Sequence, residues 1–166
     1  MSSRWTTRTL TGIRNVHERT TPGTIDQAGG IIARLADRDG SVWPADRWPP
    51  LVLDRGLVVG STGGHGPVRY RVDEVAPDGT GVRFGFTPDA GLTGHHEFRV
   101  EGRDNGLLWR HVLVLERPGR MIQVVVIPLH DALLEDLFDG VVVELSGRGL
   151  TRAPFPWSVG WRRRLA

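Results

Sequence analysis

Residues 94–116 read GHHEFRVEGRDNGLLWRHVLVLE, and this stretch decides the fold class. Apolar and polar residues alternate on both sides of Asp104-Asn105-Gly106, a sequence typical of a tight hairpin turn. The face expected to be buried carries His96, Phe98 and Val100 on the first strand and Trp109, His111, Leu113 and Leu115 on the second. The pattern predicts an antiparallel hairpin with one buried face and one face in water.

The same alternation occurs in the residues before this hairpin. Residues 67–75 place Val68, Tyr70 and Val72 on one face, and Val82, Phe84 and Phe86 share a face of the next strand. Pro77-Asp78-Gly79 between them is a turn sequence. Shorter strands are predicted over residues 16–20, 51–53 and 57–60, so the middle of the chain is expected to form an antiparallel meander.

Two helical segments flank the strands. Residues 24–37 have helical spacing with Thr24 as the expected N-cap, and Gly29-Gly30 indicates a bend or two short helices. Three prolines predict a loop over residues 37–50. From Gly119 to Leu145 we expect one long helix kinked at Pro128, with a final strand over residues 120–127 as the alternative. The expected surface of this helix carries His130, Asp131, Glu135, Asp136 and Asp139, and its apolar stripe carries Leu129, Leu133, Leu137 and Val141.

Composition excludes several function classes. With 166 residues, of which 39% are apolar, the chain suits one globular domain. The absence of cysteine excludes disulfides, thiolate metal sites and cysteine nucleophiles. Neither a membrane-spanning segment nor a secretory signal is evident, so a cytoplasmic protein is expected.

The high isoelectric point does not indicate a nucleic-acid-binding protein. The pI is about 10.2, yet the formal net charge is only +2, and all basic residues are arginine. Without lysine, almost no group titrates between about pH 8 and 12, so a small positive excess persists across that range. A basic patch is the first requirement for nucleic-acid binding. Nucleic acid is therefore not an expected partner.

Several stretches together resemble a known family. They are GHGPVRYRVDEVAPDG, GVRFGF, GLTGHHEF, LLWRHVLVLE and RPGRM followed by PLHDALLEDLFDG. Across residues 13–145 the chain resembles the START-like, polyketide-cyclase/dehydrase (SRPBCC) superfamily, most of all its uncharacterised bacterial members. The resemblance implies an α+β helix-grip fold: a curved antiparallel sheet wrapped round a long C-terminal helix, with an internal cavity. His65, His96 and His130 match positions of this subgroup, but no catalytic residue is carried over.

The expected organisation has three parts. Residues 1–12 are predicted to be a flexible N-terminal tail, residues 13–145 a START-like ligand-binding domain, and residues 146–166 an Arg/Trp-rich C-terminal tail. In the last part, Trp157 and Trp161 precede Arg162, Arg163 and Arg164. A solvated tail is favoured, and weak contact with a membrane surface or docking on a partner is the alternative.

A set of aromatic and histidine residues is predicted to line the cavity or its mouth. The predicted ligand-binding residues are Trp43, Trp48, His65, Tyr70, Phe84, His96, Phe98, Trp109 and His111. Trp43, Trp48 and His65, the last in the glycine-rich segment Ser61–Gly66, are assigned to the mouth. In the alternative interpretation of Trp43 and Trp48, the two indoles cap the core. In that of the glycine-rich segment, it only connects two strands. Arg110 enters the cavity only if the faces of its strand are reversed.

Metal and cofactor chemistry are not expected. His95 and His96 point to opposite faces of a strand, and His95 with Glu97 lacks a third ligand. The inward faces are expected to be almost free of Asp and Glu, which disfavours hydrolase chemistry.

The leading function is binding of a hydrophobic small molecule (lipid, polyketide or isoprenoid-like). Alternatives are a cyclase or dehydratase that uses an inward histidine as acid and base, and an interaction module docking through its C-terminal tail. Oligomeric state and catalytic residues remain open.

Overall fold

The computed structural model describes residues 3–37, 42–147 and 149, and its core is one eight-stranded antiparallel sheet. The strands are β1 (Thr6–Arg8), β2 (Gly12–Thr21), β3 (Val52–Leu53), β4 (Thr62–His65), β5 (Val68–Val75), β6 (Gly81–Phe86), β7 (Gly94–Arg103) and β8 (Gly106–Glu116). Their order across the sheet is β1-β2-β8-β7-β6-β5-β4-β3. The N-terminal pair β1 and β2 thus lies beside β8, the last strand in the sequence.

Residues 94–116 form the predicted antiparallel hairpin. Arg103 pairs with Gly106 across the Asp104-Asn105 turn, and Phe98 pairs with His111 farther along. The buried faces of β5 to β8 are those that the alternation predicts. Arg110 lies on the outer face, where its guanidinium bonds Glu18 and Glu101, so the reversed-face alternative is wrong.

Strand β2 is longer than predicted. It covers Gly12–Thr21 and pairs along its whole length with β8, from Gly12 opposite Glu116 to Thr21 opposite Leu107. Ahead of it, Thr6–Arg8 form β1 within the segment expected to be a flexible tail. The indole of Trp5 stacks on the ring of His17, with 4.5 Å between ring centroids. The expected tail over residues 146–166 lies almost wholly outside the described residues.

The prediction of a strand over residues 57–60 is wrong. Gly56 and Gly60 have φ of 69° and 81°, which favours a turn, and the side chains of Val58 and Val59 are exposed. The glycine-rich segment forms β4 instead. A Cβ on Gly64 would lie 1.9 Å from the carbonyl oxygen of Val68, so glycine permits the close approach of β4 to β5.

The first helix, α1, covers Ile25–Ala33 and is shorter and straighter than expected. The Thr24 hydroxyl accepts a hydrogen bond from the Gln27 amide, while the Gln27 side chain accepts one from the Thr24 amide. This capping box confirms Thr24 as the N-cap. Gly29 and Gly30 stay within one helix and do not divide it.

The C-terminal segment is helical throughout, as favoured over a final strand. A π-helical stretch over Ile122–Val126 continues directly into the second helix, α2, which covers Ile127–Ser146. Pro128 cannot donate a backbone hydrogen bond and its ring crowds the carbonyl four residues earlier, so a widened turn before it relieves that conflict. The C-terminal end of α2 is closed by Gly147, with φ of 63°.

The inner face of the sheet packs against both helices to form the core. Leu133, Leu137 and Val141 of the predicted stripe are buried, together with Phe138, and Leu129 is partly buried. The sheet and the C-terminal helix therefore have the arrangement of a helix-grip α+β fold. Among the described residues, no helix combines the length and apolar character that crossing a membrane requires.

Candidate functional site

A continuous row of ring side chains crosses the space between the sheet and α2. Neighbouring ring centroids are separated by 5.1 Å for Trp43 and His65, 6.1 Å for His65 and Tyr70, and 4.9 Å for Tyr70 and His96. The row continues from His96 through His111, His130 and His17, with separations of 5.4, 5.0 and 6.0 Å. We call His65, Tyr70, His96, His111 and His130 the histidine cluster.

The sheet register brings the cluster together. Tyr70 of β5 pairs with Phe86, Phe84 of β6 pairs with His96, and Phe98 of β7 pairs with His111 of β8. The ring of Phe84 stacks on His96 at 4.8 Å, and the Phe98 ring meets His111 edge-on at 4.5 Å. Nδ1 of His96 lies 3.3 Å from Nε2 of His111. Every second side chain of these strands faces inward, and the cluster therefore lies in a wall of aromatic rings.

Three polar atoms of the cluster are buried and unpaired. The hydroxyl of Tyr70, Nδ1 of His111 and Nδ1 of His130 have no hydrogen-bond partner within the part of the chain that the structure describes. Tyr70 and His111 are each only 1% exposed. Leaving one such atom unpaired costs about 1–3 kcal/mol. These atoms are therefore hydrogen-bonding capacity that the fold itself does not use.

The histidines of the cluster are neutral at physiological pH. Burial lowers the pKa of His65 to about 4 and holds the pKa values of His96 and His111 well below their usual range. Burial also lowers the pKa of His130, and burial of the Tyr70 phenol raises its pKa. A neutral imidazole has one donor and one acceptor nitrogen, so the cluster offers both to a neutral polar group.

A second group of polar side chains lies between β2 and α2, and we call it the β2–α2 network. His17 lies at its centre: its ring nitrogens are each 3.0 Å from a carboxylate oxygen, Nε2 from Asp131 and Nδ1 from Glu135. Arg19 donates from its two terminal nitrogens to Glu135 and to Asp139. The acidic residues are spaced four apart on α2, so they face alternate residues of β2.

The carboxylates of Asp131 and Glu135 favour the charged form of His17. Burial opposes a charge on His17, but the hydrogen bonds that His17 donates to Asp131 and Glu135, with the negative charges of these carboxylates, raise its pKa above the ordinary value. Burial also opposes the charge of Asp131, yet the adjacent His130 and His17 and the Asn15 amide hold the pKa of that carboxyl below its usual range. The hydrogen bond with His17 lowers the pKa of Glu135.

The predicted site residues have different surroundings. His65, Tyr70, Phe84, His96, Phe98 and His111 come together in the row of rings or its wall. Trp109 lies apart from the row: its indole nitrogen donates to Thr21. Trp43 lies over His65 and donates to the Pro49 carbonyl. Trp48 donates to Asp136 of α2, which ties the 42–50 loop to the helix.

Three expectations about α2 are wrong. His130 is not on the helix surface but inside the row of rings. Asp131 and Asp136 are only 5% and 8% exposed, although both were expected on the surface. The inward side is consequently not free of carboxylates. A carboxylate can be buried where histidine, tryptophan and arginine donors meet it, and periodicity of apolar residues cannot show such partners.

Sequence reasoning also missed His17. The strand prediction began at Val16, so the alternating polar set Asn15, His17 and Arg19 did not stand out as a face. The available signal was complementarity: a polar alternation on one strand and acidic residues at positions 131, 135 and 139 of a helix with an otherwise apolar side. Neither pattern alone identifies the network.

A cavity of about 380 Å³ opens at one end of the sheet. It is lined by residues 91–93 before β7, by residues 115–119, which include the last two residues of β8, and by Ile122 of the π-helical stretch. Leu92, Ile122 and Phe86 all pack against one buried cluster, which consists of Ile13, Leu113, Leu115 and Ile127. The ring of Phe86 is 5.6 Å from the ring of His96.

Comparisons with known proteins identify the fold. No family model matches the chain, and no curated protein sequence matches it. Among solved structures, CalU16 from Micromonospora echinospora is 13% identical with a TM-score of 0.55, over 99% of this chain and 94% of that one. Ginseng (Panax ginseng) major latex-like protein 151 is 12% identical with a TM-score of 0.59, over 82% and 99%.

A third structure is similar over part of its length. DynU16, a protein in the dynemicin biosynthetic locus, is 15% identical with a TM-score of 0.55, over 80% of this chain and 47% of that one. The chain therefore has the helix-grip α+β fold that these three structures share.

Proposed function

We propose that the protein binds a hydrophobic small molecule between the sheet and α2, with the histidine cluster as its polar anchors. The observation that carries this proposal is the pair of buried, unpaired atoms Tyr70 Oη and His111 Nδ1. Binding sites for small molecules are mostly apolar and contain a few convergent polar groups, and the aromatic wall with these atoms has that composition. The proposal includes membership of the START-like superfamily that the sequence resembles.

The ligand class follows from the chemistry of the cluster. Phe84, Phe86 and Phe98 offer flat apolar surface, and the neutral imidazoles offer hydrogen bonds without charge. A lipid, polyketide or isoprenoid-like molecule with a few hydroxyl or carbonyl oxygens fits both features. The similarity of the fold to DynU16, a protein in the dynemicin biosynthetic locus, supports a small organic molecule as the ligand.

Native mass spectrometry of the full chain as purified tests the proposal. We expect a discrete added mass that disappears on denaturation and whose chemical class solvent extraction identifies. In parallel, 1-anilinonaphthalene-8-sulfonate is titrated into ligand-free protein. Saturable fluorescence enhancement is expected, and Tyr70→Phe should weaken binding about 2- to 12-fold, the loss of one hydrogen bond. Arg71→Gln, on the outer face of the same strand, is the matched control. Absence of both a bound mass and saturable binding would overturn the proposal.

The enzymatic alternative is favoured by one observation, the 3.3 Å contact between His96 and His111. In such a pair, one ring can take a proton from a polyketide substrate as the base and the other can give a proton to it as the acid. The depressed pKa values make both weak bases near pH 7, which favours binding over catalysis. His96→Gln separates the two functions: turnover of a polyketide substrate should collapse if the pair is catalytic, while a binding protein loses only some affinity.

The C-terminal interaction module stays a prediction, because Trp157, Trp161 and the arginines after them lie outside the described residues. A truncation that removes residues 151–166 should abolish association with anionic vesicles if this tail docks on membranes. Unchanged association would contradict that alternative. A cytoplasmic location likewise stays a prediction.

A further inference from the structure

Two side chains of the β2–α2 network, together with His130 beside them, have the donor types of a metal site. One ligand atom from each of His17, His130 and Asp131 lies within 4.8 Å of the other two. Two separations are known individually: His17 Nε2 is 3.0 Å and His130 Nδ1 is 3.9 Å from Oδ1 of Asp131. Tetrahedral ligands with zinc bonds of roughly 2.0–2.2 Å are about 3.4 Å apart. The two separations lie on either side of that value.

A second observation points to a ligand at the same place. Nδ1 of His130 is a buried atom, and it has no hydrogen-bond partner among residues 3–37, 42–147 and 149. At 3.9 Å from the nearest Asp131 oxygen, this nitrogen is too distant for a hydrogen bond but close enough to share an ion with that oxygen. The unpaired atom is thus aimed at the carboxylate that His17 already contacts.

The surroundings of His17 match the outer shell of a metal-bound histidine. Metal-ligating histidines commonly donate from the second ring nitrogen to a carboxylate, which fixes the ring and its tautomer. His17 has this arrangement, with Nδ1 3.0 Å from Glu135 and Nε2 toward Asp131. Arg19 in turn holds Glu135, and Trp5 covers the outer side of the His17 ring.

We propose that His17, His130 and Asp131 bind one divalent transition-metal ion, with zinc as the best fit to two imidazoles and a carboxylate. The set leaves a fourth position for water or for a ligand oxygen, as sites with three protein ligands do. His130 belongs to the histidine cluster as well, so the ion lies at the border of the proposed ligand site. The sequence expectation of no metal considered only His95, His96 and Glu97, which take no part here.

Zinc alone tests this proposal without any organic ligand, so its outcome is independent of the proposed small-molecule function. The full chain is treated with EDTA, dialysed and titrated with ZnCl₂ by calorimetry, and Co²⁺ absorption reports the coordination. We expect one ion per chain. His130→Gln should weaken binding at least about 100-fold, since even outer-shell changes cost 10–100-fold. His95→Gln, on the outer face, is the control for adventitious binding to a surface histidine.

A second pair of variants addresses the outer shell. Glu135→Gln removes the carboxylate at His17 Nδ1 and should weaken zinc binding about 10- to 100-fold. Asp139→Asn is its matched control, because Asp139 contacts Arg19 as Glu135 does but does not touch His17. Circular dichroism confirms the fold of each variant. Absence of saturable zinc binding, or equal effects of His130→Gln and His95→Gln, would overturn the proposal.

Discussion

Acidification should destabilise this protein at a pH where most proteins of its size remain folded. In the unfolded chain each histidine has a pKa of about 6.5. In the folded chain burial lowers the pKa of His65 to about 4 and lowers those of His96, His111 and His130. The unfolded state therefore binds more protons below pH 6.5. The stability that the neutral histidines contribute is complete above pH 6.5 and is lost as the pH falls toward their folded pKa values.

The magnitude follows from one residue. With pKa values of 6.5 unfolded and about 4 folded, His65 alone loses about 2 kcal/mol of stabilisation between pH 7 and pH 5. The other members of the cluster act in the same direction and add to this loss. His17 does not compensate between pH 6 and pH 5: its pKa is raised, so its stabilisation is already complete below about pH 6.5 and declines only as the pH rises.

Urea denaturation followed by tryptophan fluorescence at pH 7, 6 and 5 measures the effect. We expect the free energy of unfolding to fall by more than about 1.4 kcal/mol between pH 6 and pH 5, which corresponds to more than one proton. His111→Phe should reduce this slope. Asp54→Asn is the control, because the hydrogen bond from Ser61 helps to hold the Asp54 pKa at about 2, outside the range. A free energy that is constant from pH 7 to pH 5 would refute the neutral buried cluster.

Three substitutions extend these tests, each measured by urea denaturation in the presence of EDTA. Tyr70→Phe removes an unpaired buried hydroxyl and should stabilise the protein by about 1–3 kcal/mol while it weakens ligand binding; destabilisation would show that the hydroxyl has a partner. His17→Phe leaves Asp131 buried without its cation and should cost about 3–5 kcal/mol, and adding Asp131→Asn should restore part of the loss. Gly64→Ala places a Cβ 1.9 Å from the Val68 carbonyl oxygen and should cost about 1–3 kcal/mol or more; an unchanged midpoint would contradict the β4–β5 register.

The sequence predicted the inward residues of β5 to β8 but not those of β2. The difference has one physical cause, the contrast between the two faces of a strand. In β5 to β8 the buried side is mostly apolar and the outer side is charged, so two-residue alternation identified Tyr70, His96 and His111 as inward. On β2 the buried side is itself polar, with Asn15 and His17 fully buried. Alternation then gives no contrast, and only the partners on α2 show why these residues are inside.

The segments that sequence reasoning misplaced depend on long-range contacts. His65 lies in β4 because glycines let that strand approach β5 closely, and propensity alone assigns such glycines to a loop. His130 enters the row of rings because the π-helical turn before Pro128 sets the rotation of α2 relative to the sheet. A one-residue change in that rotation would turn a different side chain inward, and a helical periodicity cannot specify it to that accuracy.

His130 makes the two proposed sites thermodynamically dependent on each other. Its ring centroid is 5.0 Å from that of His111 in the histidine cluster and 6.0 Å from that of His17 in the β2–α2 network. An ion held by His130 Nδ1 fixes this ring and adds positive charge beside an otherwise neutral cluster. Zinc should therefore increase the affinity for the anionic probe 1-anilinonaphthalene-8-sulfonate, and the probe must increase zinc affinity by the same factor. Equal probe affinity with zinc and with EDTA, in protein shown to hold one ion per chain, would mean that His130 does not connect the sites.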